Sequence, residues 1–285
     1  MASPTTGEEA LVVIGVGGMG HAIARRVGAG RVIVLADINQ GLLDSTAATL
    51  EREGHHVVTH EVDVTSRNSI AALVELATSV GRVTAVAHTA GLSPEQASAA
   101  SIMAVDLLGV ALVIDEFGRI IEPGGAAIVI ASMAGHMNPI LDPSVELQLA
   151  STPADELLDL EACSPARLPT GAHAYPFAKR ANQIRVSAAA SSWGLRRARI
   201  NSISPGIIST DMGRQELAGE SGRLIQMMTD NAGLRRLGTA DDIAAAAEWL
   251  LGPASSFVTG TDLLVDGGVT AAIRSGTINL PDLTA

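Results

Sequence analysis

Short aliphatic runs alternate with alanine-rich stretches along this chain. The runs are LVVI (11–14), VIVLAD (32–37), HVVTHEVDV (56–64), VTAVAH (83–88), AAIVIAS (126–132), RINSIS (199–204) and DLLVDGG (262–268). Their apolar positions are continuous rather than alternating, the pattern of strands covered on both faces. Between them the spacing predicts helices near 19–28, 40–53, 67–80, 98–121, 174–193 and 240–251. Strand–helix alternation of this kind predicts an α/β fold, a doubly wound parallel sheet of about seven strands with helices on both faces and right-handed crossovers. Residues 1–9 read as a tail and 10–285 as a single domain.

One region breaks the rhythm. Residues 138–172 hold five prolines and no strand pattern, and read as an insertion: a lid, an interface or a mobile loop. Within it, Thr152-Pro153-Ala154-Asp155 has the form of a capping box, which predicts a short helix over 153–161, and Asp142-Pro143 can start another.

Composition narrows the class. The chain has 285 residues, 47% hydrophobic and 17% charged, as a globular protein does. A net charge of −11 argues against nucleic acid or an anionic membrane as partner, and 2% aromatics leave no stacking platform for single strands. The lone Cys163 excludes an internal disulfide, and the histidines have no metal-ligand spacing, so no metal is expected. The polar, acidic N-terminus is unlike a secretory leader, and no apolar run is long enough to span a bilayer, so a cytoplasmic setting is the expectation.

Two stretches carry chemistry. IGVGGMGHAIA follows the first run and opens a helix; Gly15, Gly17 and Gly20, with Gly18 and Met19 between, fit the glycine-rich turn that lets backbone N–H groups approach a pyrophosphate. Asp37, followed by Ile38, ends the second run. A carboxylate there can accept from both hydroxyls of an adenosine ribose and repels a 2′-phosphate, so NAD is favoured over NADP; the alternative is a turn or cap residue. The second stretch is AYPFAKRANQ (174–183). Tyr175 is the only tyrosine and Lys179 the only lysine, and four residues along a helix stack two side chains on one face. Arginine serves every other cationic need in the chain, so a compact, titratable cation is wanted at 179.

Taken in order, these motifs resemble the short-chain dehydrogenase/reductase family, from about residue 10 to 270. Asp63-Val64 resembles the pair that contacts adenine. HTAGLS (88–93) resembles the family's Asn-Asn-Ala-Gly turn, with Ala90 and Gly91 kept and Thr89 at the second position. IVIASMAG (128–135) resembles the strand bearing the catalytic serine, which maps to Ser132, and Tyr175-x-x-x-Lys179 resembles the active-site tyrosine and lysine. SPGIIST (204–210) resembles the segment over the nicotinamide, so Pro205, Gly206, Ile208 and Thr210 join the expected cofactor contacts, with Tyr175 and Lys179.

The resemblance implies a Rossmann-type fold, NAD(H) as cofactor, a small-molecule alcohol or ketone as substrate, and a homodimer or homotetramer. Two departures stand out. The glycine loop is one residue shorter than the family's, and the family's helix asparagine maps to Asp106, in VDLLG. The long gap between Ser132 and Tyr175 resembles the bacterial 3α-hydroxysteroid dehydrogenase/carbonyl reductase subgroup, which implies steroid or alicyclic alcohols by analogy.

In this chemistry a free phenol, with a pKa of about 10, is too weak a base near neutrality, and a neighbouring ammonium favours its phenolate. Ser132 would donate to the substrate oxygen where charge develops. If Asp106 nears Lys179, it favours the ammonium and offsets part of the pull on Tyr175; a relay through its backbone carbonyl and a water would survive the exchange. Two rivals remain: an NAD-sensing regulatory protein on the same scaffold, and a sugar-nucleotide epimerase, which would carry a longer C-terminal substrate domain.

Overall fold

The computed structural model describes residues 7–95, 97–137, 141–219 and 221–279. Seven parallel strands make one sheet: β1 (Glu9–Ile14), β2 (Val32–Asp37), β3 (His56–Glu61), β4 (Arg82–His88), β5 (Ala126–Ile130), β6 (Arg199–Pro205) and β7 (Asp262–Val265), in the order β3-β2-β1-β4-β5-β6-β7. The order reverses between β1 and β4, and a crevice opens at such a switch point, beyond the strands' carboxyl ends.

Helices cover both faces. On one side lie α1 (Gly18–Val27), α2 (Gln40–Arg52) and α11 (Ala240–Leu251); on the other α3 (Arg67–Val80), α5 (Val110–Gly118) and α8 (Gly171–Leu195). β1 shows why the aliphatic runs are continuous. Ala10, Val12 and Ile14 enter one core and Leu11 and Val13 the other, all with no exposure. Each large apolar side chain buried this way contributes about 1.5–3 kcal/mol. β3 is the edge strand and only half-buried, and it stops at Glu61 rather than 64.

The remaining elements are short. α4 (Ala99–Ile102) runs through a π-helical turn (Met103–Gly109) into α5, where one uninterrupted helix over 98–121 was expected. α6 (Ala134–Met137) follows β5, and α9 (Asp211–Ala218), α10 (Gly222–Asn231) and α12 (Val269–Arg274) close a third apolar cluster around Met133, Ile225 and Met228. Gly213 and Gly219 interrupt the sequence around α9, and α12 is only six residues long, so neither develops a stripe of helical length. Residues 7–9 are a smaller correction. Glu9 already pairs with Arg82, and the Glu8 carbonyl accepts from the Arg82 N–H at 2.8 Å, so the tail reading reached two residues too far.

The segment 138–172 is built into the protein from residue 141 onward; residues 138–140 lie outside the described ones. α7 (Pro143–Ser151) starts as expected, with Asp142 capping the Ser144 N–H at 2.8 Å. The helix expected over 153–161 is instead two 3-10 segments, Ala154–Asp159 and Glu161–Cys163. The capping box fails for a physical reason. The Thr152 N–H closes α7 on the Gln148 carbonyl, and Arg67 takes the Asp155 carboxylate at 2.9 Å. Leu149, Leu157, Ala154 and Cys163 join the α3–α5–α8 core, so this is a packed element rather than a loop standing off the surface.

Arg185 on α8 anchors it, donating from Nη1 to the Leu149 and Thr152 carbonyls, both at 2.9 Å. Arg185→Leu leaves two carbonyls without a donor and is expected to cost about 2 kcal/mol of stability, read from the denaturant midpoint. An unchanged midpoint would mean that the segment is held mainly by its apolar contacts.

Candidate active site

Because every strand runs the same way, the loops after β1, β2, β3, β4 and β5 gather at one edge. The turn after β1 is the tightest. Gly15 has φ +87°, and a methyl there would meet the Ala90 N at 2.4 Å; one at Gly20 would lie 1.9 Å from the Gly15 carbonyl oxygen. Thr89 locks this contact, its hydroxyl donating to the Gly15 carbonyl at 2.5 Å. α1 then starts at Gly18 and points its unpaired N–H groups outward.

A cleft of about 620 Å³ opens over this turn. Gly15, Gly17, Gly18, Met19, Gly20, Asp37, Ile38, Asp63, Val64, Thr89, Ala90, Gly91 and Thr210 all line it. Pro205, Gly206, Ile208, Tyr175 and Lys179 do not. Ile208 turns into the core, and with Gly206 it borders a separate hollow beside Asp242 and Val265. Sequence reasoning missed Leu42, Ser45, Thr46 and Thr49, one face of α2, and His21, whose Nε2 is buried without a hydrogen-bond partner. Their spacing along α2 was the available signal.

Asp37 faces the cleft while holding its rim. Its Oδ2 accepts from the Val16 N–H at 2.8 Å and its Oδ1 from the Asn39 N–H at 3.0 Å. A carboxylate offers roughly four acceptor sites, so capacity for a ligand hydroxyl remains. Among the described residues no lysine or arginine lines the cleft. A glycine cradle that a side chain would fill, a helix N-terminus and a carboxylate at the second strand's end suit a dinucleotide.

Beyond the cleft lies a buried polar cluster. α8 carries Tyr175, half-buried, and Lys179, 4% exposed, with the ammonium 5.4 Å from the phenol ring centroid. Lys179 Nζ is 3.0 Å from Asp106 Oδ2 and 3.5 Å from the Ile130 carbonyl. Asp106 Oδ1 accepts from the Leu92 N–H at 2.8 Å. Its Oδ2 meets Nζ as an ion pair rather than an aligned hydrogen bond. Burial pushes the Asp106 carboxyl above its usual range, and Lys179 and the Leu92 N–H pull part of that back. Burial pulls Lys179 down, but charge on Asp106 and Tyr175 outweighs it and holds the ammonium above the ordinary lysine value. Ser132, just past β5, is 9% exposed, and its Oγ accepts from the Ala134 N–H at 3.1 Å.

A short chain dehydrogenase family model matches residues 8–143, and a model described as enoyl-(acyl carrier protein) reductase matches 159–270. The short-chain dehydrogenase/reductase bsc3 of Alternaria brassicicola is 40% identical over 95% of this chain and 98% of its own. The chain belongs to the short-chain dehydrogenase/reductase family. The 3-alpha-hydroxysteroid dehydrogenase/carbonyl reductase of Comamonas testosteroni is 28% identical over 85% of this chain and 98% of its own length. A short-chain type dehydrogenase/reductase from Mycobacterium ulcerans shares the fold, with TM-score 0.74 and 24% identity over 94% of this chain and 91% of that one. The protein is thus an oxidoreductase of alcohols or ketones, in a family that uses a nicotinamide cofactor. Among the described residues no helix is long and apolar enough to cross a membrane.

His88, at the end of β4, stands at the first position of the family's Asn-Asn-Ala-Gly turn. It is 1% exposed, and neither ring nitrogen makes a well-aligned hydrogen bond. Burial first, then the Lys179 charge, lower its pKa from 6.5 to about 3, against a weak opposing pull from the Ile14 carbonyl. The unfolded chain therefore takes up a proton below about pH 6.5 that the folded one refuses down to about 3. Stability from this residue is present above that window and is lost as pH falls through it, at up to about 1.4 kcal/mol per pH unit. His88→Asn is expected to flatten the acid limb of stability against pH, whatever its effect at pH 7. Parallel limbs in variant and wild type would show that other groups set the slope.

Proposed function

We propose that this protein interconverts a secondary alcohol and a ketone using NAD(H), with Ser132, Tyr175 and Lys179 carrying the chemistry. The observation that supports it most is the pairing of the chain's one tyrosine with its one lysine on a single face of α8, beside the dinucleotide-shaped cleft. The nicotinamide, when bound, exchanges the hydride. Ser132 donates to the substrate oxygen, where charge builds during transfer. Tyr175 passes the proton at that oxygen, and Lys179 holds the local charge and the ribose side of the cofactor. Asp106, the residue at the family's asparagine position, joins this set through its contact with Lys179.

In this reading residues 8–285 act as one catalytic domain and 138–172 as an insertion within it, and the protein assembles as a homodimer or homotetramer. Steroid or alicyclic alcohols are the first substrates to try. Supporting them are the resemblance of the long Ser132–Tyr175 segment and the likeness to the Comamonas testosteroni relative.

A panel of such alcohols with NAD⁺ at alkaline pH, and of the matching ketones with NADH at neutral pH, both followed by NADH absorbance, tests the function. Turnover is expected, and Tyr175→Phe is expected to abolish it while NADH still binds. Binding of NADH without turnover of any alcohol or ketone would favour an NAD-sensing role instead.

Cofactor choice is a separate prediction. Asp37 and the lack of cations in the described cleft favour NAD(H) over NADP(H) by at least about tenfold in kcat/KM, or about 1.4 kcal/mol. Asp37→Ala should erode that ratio mainly through KM. Equal efficiency of the wild type with both cofactors would refute the assignment.

A further inference from the structure

Asp106 stands where the family has an asparagine, and its surroundings turn that exchange into a change of charge balance. Its Oδ2 lies 3.0 Å from Lys179 Nζ, with 0% and 5% side-chain exposure, so water screens the pair weakly. The Leu92 N–H holds Oδ1 at 2.8 Å, and the carboxylate cannot swing away. Gly91 closes the niche: a methyl there would lie 3.1 Å from Nζ and 3.3 Å from Oδ2. Asp106 also lies inside the π-helical turn Met103–Gly109, a local widening of the helix of a kind often found at functional sites.

Seen from Tyr175, an amide at 106 would leave a full ammonium charge 5.4 Å from the ring centroid; a carboxylate leaves a neutral pair. An uncompensated cation in such a site lowers an acid's pKa by about one to three pH units. Among the described residues, the other groups recorded against Lys179 add no positive charge. β4 brings His88, which is neutral, and β5 brings the Ile130 carbonyl. His136 on α6 is bound to Asp262 at 2.6 Å, and Arg180 on α8 is paired with Glu146 of α7 at 2.6 Å.

We propose that Asp106 is the fixed counter-ion of Lys179, a positioning residue that leaves the Tyr175 phenol protonated at neutral pH, so that the resting site is set to reduce a ketone. This rests on Tyr175 being the proton-transfer group of the proposed reaction. In the forward step a bound reduced nicotinamide would supply the hydride to the carbonyl carbon, and the C=O π pair would move onto oxygen. The Tyr175 O–H bond breaks as its proton joins that oxygen. The ketone is reduced to a secondary alcohol, NADH is oxidised to NAD⁺, and the phenolate recovers a proton from solvent. Lys179 keeps its own proton throughout, because Asp106 stabilises it. Alcohol oxidation by the same site would need the pH raised until Tyr175 ionises.

The lone tyrosine makes a direct test possible, because the ultraviolet band of tyrosinate reports Tyr175 and nothing else in the intact chain. Wild type, Asp106→Asn and, as blank, Tyr175→Phe are titrated with pH while circular dichroism tracks folding. The wild-type midpoint is expected near the free-phenol value of about 10, or no tyrosinate forms before the chain unfolds. Asp106→Asn is expected to ionise at least about one pH unit lower. A wild-type midpoint near neutrality, or coincident midpoints in two folded proteins, overturns the proposal. If Asp106→Asn does not fold, the wild-type midpoint and Asp106→Ser decide in its place. Continued turnover by Tyr175→Phe would overturn the catalytic reading instead, and the titration would still decide whether Asp106 sets the ionisation of Tyr175.

Discussion

A sheet of seven parallel strands, the five central ones buried on both faces, is the constraint from which the site follows. Parallel neighbours cannot be joined by tight turns, so each connection must cross a face as a helix and return to the same end. Every strand's carboxyl end therefore lies along one edge. The glycine turn after β1, Asp37 ending β2, Asp63 after β3, Thr89 after β4 and Ser132 after β5 meet there although the first and last are more than a hundred residues apart. No tertiary contact has to be invented to bring them together; the order of the strands does it. The switch between β1 and β4 then leaves the crevice uncovered at its centre.

Within that frame the least favourable element is the buried Asp106–Lys179 pair. Removing two ions from water costs several kcal/mol each, and their attraction offsets this only when geometry and further hydrogen bonds are good. Here the carboxylate has the Leu92 N–H and the ammonium has the Ile130 carbonyl, so each ion holds a second partner at 2.8 and 3.5 Å. The π-helical turn adds its own departure from good helix geometry. Two unfavourable features at one spot point to function rather than stability, since an apolar pair of similar volume would pack there with a smaller penalty.

The fold was legible because two-sided burial writes unbroken aliphatic runs into the sequence, and all seven were found. What was not legible has specific causes. The periodicity over 98–121 is the same whether the helix is α throughout or widens at Met103–Gly109, since the widened turn keeps its apolar residues inward. The box at 152–155 matched a local rule, but Arg67, nearly ninety residues earlier, took the carboxylate that the rule required. In the site, Asp106 was legible as a residue but its direction was not, because a helix position alone does not say which neighbour a short side chain meets. For Ile208 the motif did not show where the side chain goes; packing against the α1–α2–α11 core decides it.

The chain's division of labour between its cations has the same physical root. Arginine is used where a planar fork can collect several acceptors. Arg199 gathers the Leu250, Gly252 and Val258 carbonyls and the Ser255 hydroxyl, tying β6 to the end of α11, and Arg185 collects two carbonyls of the insertion. A guanidinium is a broad, planar fork with five donors to satisfy. The niche under Gly91 has neither the width for it nor several carbonyls to fill its donors; it has one carboxylate, one carbonyl and a phenol. A compact ammonium at the end of a flexible stem fits that space and that donor count. The single lysine is therefore what remains when every structural cation can be arginine and one site cannot.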